Sequence, residues 1–143
     1  MTTELRQLVY ISDARIPISN KEIAGILESS RRSNPGRGIT GLLLYCDGIF
    51  IQALEGETEA VEQLYLVICD DPRHSNAEVL GDTIVADRIF GDWAMAYLEP
   101  SLDEAKTKVG LDGTLDRQET LRLIGSGETN TEQFLRNFAA ALG

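Results

Sequence analysis

Apolar and polar positions alternate from the start of the chain. Leu5, Gln7, Val9 and Ile11 fall on one side, and Leu8, Tyr10 and Ser12 on the other. A period of two predicts a strand over 5–12. The period then changes. Ser19 followed by Glu22 has the form of a capping box, and Ile23, Ile26 and Leu27 supply the apolar stripe of a helix. The segment RRSNPGRG, with Pro35, Gly36 and Gly38, is expected to break that helix. Strands are expected over 39–46 and 49–54, joined by Asp47-Gly48, a two-residue hairpin signal. The short loop sets the register. It places Tyr45 opposite Phe50, Leu43 opposite Gln52 and Gly41 opposite Leu54. Leu42, Leu44, Cys46, Ile49, Ile51 and Ala53 share the other face, so both faces are apolar and both need cover.

A second helix is expected over 57–69, with acids in its first turn and Val61, Leu64, Tyr65 and Ile68 on its apolar side; Asp71-Pro72 closes it. Two more strands follow over 78–85 and 93–98. The order β-α-β-β-α-β-β is the split βαβ pattern of an α+β, ferredoxin-like fold, with both helices on one face of the sheet. Residues 101–143 change character. Ser101 with Glu104, Asp116 with Glu119 and Thr129 with Glu132 resemble helix starts, and Phe134, Leu135, Phe138 and Leu142 form a helical stripe. The chain thus divides into a domain over 1–100 and a helical extension over 101–143. The extension, or a dimer partner, is expected to cover the second apolar face.

Composition alters this picture little. The 143 residues are 43% hydrophobic and 25% charged, ordinary for a globular protein. A net charge of −10 repels nucleic acid and anionic membranes. The longest apolar run, at 64–69, is far below the ~20 residues of a membrane span, and no signal peptide is visible, so a cytoplasmic location is expected. Cys46 and Cys69 both lie in apolar runs and are expected to be buried thiols.

Most catalytic motifs are absent from the sequence. Gly36, Gly38 and Gly41 spell GxGxxG, but a helix precedes them and a strand follows, the reverse of the dinucleotide-binding arrangement. A single histidine, His74, and no CxxC or HExxH argue against a metal site. The polar residues on buried positions stand out instead. Gln52 sits between Phe50 and Leu54 on its face, Tyr10 lies on the first strand, and Asn34 follows the first helix. Each has an ordinary structural explanation, such as a bonded hydroxyl, a backbone-paired amide or a turn. A bound polar heterocycle would satisfy all three together, since an unpaired buried amide costs ~1–3 kcal/mol.

At these residues the chain resembles the BLUF family of blue-light sensors that use flavin. The resemblance rests on LVYIS, SNPGRGITGLLLY, GIFIQALEG, DDPRHSNAEV and FGDWAMAY, spread over about 5–97. It implies a noncovalent flavin, usually FAD (FMN and riboflavin being alternatives), between the two helices over the sheet. By the resemblance, Tyr10 gives an electron and a proton to the excited flavin, Gln52 bridges Tyr10 and the ring edge, and Asn34 bonds the ring's polar edge. Ile68 matches an apolar residue packed on the ring, and Asp71 and His74 match positions near the flavin. Trp93 and Met95 match last-strand positions linked to signal readout. This chain has Val67 where some members carry a basic residue. Arg31, Arg32, Arg37 and Arg73 are candidates for the phosphate side. The reading is a stand-alone photoreceptor, not an enzyme, that signals to a partner protein or through a homodimer. A flavin-dependent redox enzyme and a flavin-free ligand-binding module are the alternatives.

Overall fold

The structure, a computed structural model, describes residues 4–15, 18–46, 48–91 and 94–98. The elements run β1 (Leu5–Ala14), α1 (Asn20–Arg37), β2 (Thr40–Cys46), β3 (Ile49–Glu57), α2 (Thr58–Cys69), β4 (His74–Val85) and β5 (Ala96–Leu98). This is the expected order. The five strands form one sheet in the order β4-β1-β3-β2-β5. β3 lies antiparallel between β1 and β2, so β1 and β2 run parallel and α1 is their crossover; β4 adds antiparallel to β1, and β5 parallel to β2.

The hairpin has the register its loop dictates. Cys46 closes it against Ile49, and Tyr45, Leu43 and Gly41 face Phe50, Gln52 and Leu54. Gly48 takes φ 79°, the left-handed conformation such a turn needs. Both helices pack on one face. Leu8, Leu43 and Leu54 from the sheet meet Ile23 and Leu27 of α1 and Val61 of α2 in a buried cluster. Val9, Ile11, Leu42, Ile51 and Ala53 on the other face are buried too. The extension over 101–143 lies outside the described residues, and with it the cover assigned to that face. Among the described residues, no helix is long and apolar enough to cross a membrane.

Three expectations need correction. First, RRSNPGRG does not break α1, which runs through Pro35 to Arg37. A proline this close to the end removes one rung of the hydrogen-bond ladder and crowds one carbonyl, with only two residues of helix after it. Gly38, at φ 67°, closes the helix with its N–H on the carbonyls of Asn34 and Pro35. The start is as read: Ser19 Oγ accepts from the Glu22 N–H at 3.1 Å. Second, β4 begins at His74 and not at 78, because His74 and Ser75 pair with Ala14 and Asp13 before a register shift. β5 is confined to Ala96–Leu98; the strand start expected at 93 lies outside the described residues. Third, Cys69 is exposed. A helix lying on a sheet buries one side only; Leu66 and Val67 are exposed too, and Cys69 sits at the border, beside Tyr65.

Gly41 marks a close approach and not a nucleotide-binding loop. A Cβ there would lie 2.1 Å from the Ala53 carbonyl oxygen of the paired strand. Gly41→Ala is therefore expected to force β2 from β3 and to cost about 1–3 kcal/mol or more. Urea unfolding of the two proteins side by side measures the loss.

Candidate functional site

The two helices stand apart above the middle strands and leave a half-open cleft. Its floor is the sheet: Tyr10 and Ser12 of β1, Leu43 of β2, Phe50 and Gln52 of β3. Strand pairing brings the two polar residues together, because Tyr10 lies directly opposite Gln52 and Gln52 directly opposite Leu43. One wall is α1, with Ile26, Ser30, Ser33 and Asn34 at helical spacing; the other is α2, with Leu64 and Ile68. Asp71 and Arg73, from the turn between α2 and β4, and His74, the first residue of β4, close one end.

A line of polar contacts crosses the floor. The Tyr10 hydroxyl donates to Gln52 Oε1. The far end of the same amide donates, Nε2 to Met95 Sδ at 3.6 Å. All three residues are at most 4% exposed. Met95 is itself held from α1: Arg31 Nε donates to its carbonyl at 3.0 Å, and Asn34 Nδ2 donates to the carbonyl of Ala94 at 2.8 Å. Floor, helix α1 and the start of β5 are thus one network.

Burial first, then the neighbouring Cys69, Tyr65 and Asp71, push the Tyr10 phenol far above its ordinary value. It stays protonated and is a hydrogen-bond donor throughout the neutral range. Its ring packs tilted against Tyr65, with centroids 5.4 Å apart, and against His74, 6.2 Å apart. Burial, with a hydrogen bond to Cys69, raises Tyr65 to about 12.

At the end of the cleft Arg73 binds Asp71 through several contacts, with Nε to Oδ1 at 2.9 Å and Oδ2 at 3.0 Å. These bonds hold the Asp71 carboxyl below the usual carboxylate range, against the opposing effect of burial. A group whose folded value is depressed stabilises the fold above its unfolded value of about 3.9. That contribution is lost as pH falls through the lower, folded value. Asp71→Asn is therefore expected to lower stability across the neutral range, where the charged carboxyl contributes, and to converge on wild type as pH falls below about 4. Melting temperatures from pH 3 to 7 check this.

Two buried polar atoms among the described residues have no partner, Ser12 Oγ and His74 Nδ1. Both belong to residues lining the cleft. Buried polar groups in folded proteins are nearly always paired. A cleft with apolar walls, an amide and a phenol on its floor and two unpaired polar atoms suits a flat heterocycle with hydrogen-bonding edges. The donor set therefore fits a flavin. Tyr10, Asn34, Gln52, Ile68, Asp71, Arg73 and His74, predicted from sequence, all line this one space. Met95 is buried and touches Gln52, and Trp93 lies outside the described residues. Of the four arginines, Arg37 and Arg73 line the cleft. Arg31 turns to Met95, and Arg32 pairs with Glu28 on the exposed side of α1. Sequence reasoning missed Ser12 and the Ser29, Ser30, Ser33 face of α1. Their 3–4 residue spacing with Ile26 and Arg37 was the available signal, hidden by ending the helix too early. Among the described residues no group of His, Cys, Asp and Glu could hold a metal ion.

Known proteins give this geometry its context. Residues 5–96 match the family model described as BLUF, sensors of blue-light using FAD. A photoactivated adenylate cyclase subunit beta from Euglena gracilis is 37% identical over 94 residues, covering 65% of this chain and 11% of that protein. The blue light- and temperature-regulated antirepressor BluF of Escherichia coli is 38% identical over 101 residues, covering 70% of this chain and 25% of that one. The chain spans only about a tenth of the cyclase subunits it matches. Among solved structures, the dark state of BlrB, a BLUF protein, superposes with a TM-score of 0.77 at 30% identity over 99% of both chains.

Proposed function

Because this chain belongs to the BLUF family, sensors of blue light using FAD, we propose that it is a photoreceptor whose Tyr10–Gln52 pair converts absorbed light into a change of hydrogen bonding read by Met95. The observation that carries the reading is the continuous line from the Tyr10 hydroxyl through both ends of the Gln52 amide to the Met95 sulfur.

The flavin, when bound, supplies blue-light absorption and an excited state able to accept an electron. The rest is the work of the chain. Tyr10, a buried neutral phenol, gives up an electron and the proton on its Oη and takes both back, so no net chemistry remains. Gln52 carries a donor and an acceptor on one group. While Tyr10 donates to its oxygen, its nitrogen is directed at Met95. Once the Tyr10 proton has moved, the amide is free to turn and exchange its two ends. The two arrangements are the states of a bistable element. Asn34 and Gln52 would hold the polar edge of the ring, Ile68 would pack on its face, and Arg37 and Arg73 would meet its phosphates. The Ser12 hydroxyl and His74 Nδ1 would find partners there.

Relatives of this domain are joined to effectors, as the name photoactivated adenylate cyclase states. The domain itself is a sensor module. We place it in the cytoplasm, without catalytic activity of its own, with the downstream protein reached through β5 and residues 101–143. The test is an absorbance spectrum of purified protein in darkness and after blue light. A flavin spectrum that shifts slightly red and recovers in darkness is expected. A flavin that bleaches under light and donor would instead indicate a redox enzyme, and protein unable to take up FAD would overturn the reading.

A further inference from the structure

Glu55 is the most unusual residue outside the cleft. It lies on β3, three positions from Gln52 and on the opposite face of the sheet, and it is fully buried. Buried carboxylates are rare unless paired. Among the described contacts, this one is held without a cation at its oxygens. Oε1 accepts from the Phe90 N–H at 2.9 Å and the Thr40 hydroxyl at 3.3 Å. Oε2 accepts from the Ile89 N–H at 2.8 Å and from Gln7 Nε2 at 3.1 Å. Arg88 adds a clasp beside it, donating to the Thr40 hydroxyl at 2.8 Å, the Glu55 carbonyl at 3.0 Å and the Gly38 carbonyl at 2.7 Å. Phe90, between these bonds, is fully buried.

The residues so fastened lead from β4 into β5. A few positions later the same stretch reaches Ala94 and Met95, which Asn34, Arg31 and Gln52 hold from the cleft side. The stretch therefore has two kinds of attachment. The one at Gln52 belongs to the group that turns; the one at Glu55 contains no such group. Charge-assisted bonds to two successive backbone N–H groups make it the firmer of the two.

We propose that Glu55 is a positioning residue for light sensing: it fixes the near end of the stretch that carries Met95, so that turning of the Gln52 amide moves only the far end, and it favours the return of Met95 to Gln52 in darkness. This role rests on the photoreceptor reading above. A glutamine at position 55 has one accepting oxygen and a donating NH₂, so it leaves the Ile89 or the Phe90 N–H facing another donor. Reseating Met95 then loses part of its support.

The experiment is the dark recovery of full-length protein reconstituted with FAD, followed by absorbance after blue light. In Glu55→Gln the dark spectrum and the size of the red shift are expected to stay as in wild type, with recovery slowed roughly tenfold, the size expected of one buried donor left unpaired. Thr40→Val, which removes a hydroxyl bonded to both Glu55 and Arg88, should slow it less and is the variant to use if Glu55→Gln does not fold. A role in stability alone would not depend on Met95. In a Met95→Leu background, lacking the sulfur acceptor, Glu55→Gln should therefore change recovery little; additive effects in this cycle overturn the proposal. Wild-type recovery in a folded Glu55→Gln protein also overturns it, while leaving the photoreceptor reading intact. A wild-type chain without a reversible red shift overturns both.

Discussion

Tyr10→Phe is expected to bind FAD and to give no red-shifted state under blue light. The substitution keeps the ring, and hence the packing against Tyr65 and His74 on the floor of the cleft. It removes the one group that donates to Gln52 Oε1 from the sheet. Without that hydroxyl the amide has no partner to release and no proton arrives to turn it. The fold should also lose about 1–3 kcal/mol, the cost of a buried acceptor left unpaired. The check is a pair of measurements on one sample: light-minus-dark absorbance and a urea unfolding curve. A normal red shift in this variant would remove Tyr10 from the mechanism.

Gln52→Leu is expected to abolish the response by a different route. Leucine is close to glutamine in size and suits a face that already carries Phe50 and Leu54, so the cleft should persist. Both of its polar contacts vanish: the Tyr10 hydroxyl loses its acceptor, and Met95 loses its donor. Tyr10 is still expected to be photo-oxidised and restored in such a protein, but the event leaves no altered hydrogen bond behind. Transient absorbance should therefore show fast excited-state decay with no lasting red shift. Stability should fall by about 1–3 kcal/mol, because the buried Tyr10 hydroxyl is left without an acceptor, although no unpaired amide remains at position 52. A lasting red shift in Gln52→Leu would show that the amide does not carry the signal.

The two variants separate donor from relay because the residues sit on different strands. Which strands lie side by side was not legible in local pattern. Asp47-Gly48 determined that Leu43 faces Gln52, since a two-residue loop leaves one register. That β3 also lies beside β1, with Tyr10 opposite Gln52, depends on α1 crossing over and leaving room for β3 between the strands it joins. The family resemblance brought Tyr10 and Gln52 together before their geometry was visible; alternation alone had placed each merely on a buried face.

The misreadings have similar causes. Pro35 and Gly36 are helix breakers by local preference, yet α1 continues through them because Ile23 and Leu27 anchor it to the sheet and Gly38 supplies its end. The extra turn matters: it carries Ser33 and Asn34 into the cleft. The run LYLVIC is apolar throughout and reads as buried, but a helix on one side of a sheet leaves part of its surface open, and Leu66, Val67 and Cys69 are exposed. By residue type Glu55 belongs on the surface. Its four partners come from positions 7, 40, 89 and 90, and no window of sequence contains them.

By itself, then, the sequence determined the element order, the hairpin register and the face on which Gln52 lies. These depend on period, turn chemistry and residue type, which act between neighbours in the chain. Only the tertiary structure decided where α1 ends, that Cys69 is exposed, how Met95 meets Gln52 and why a carboxylate is tolerated in the core. Those outcomes depend on burial and on hydrogen-bond partners from distant segments, whose free energies outweigh local preference once the segments are packed together.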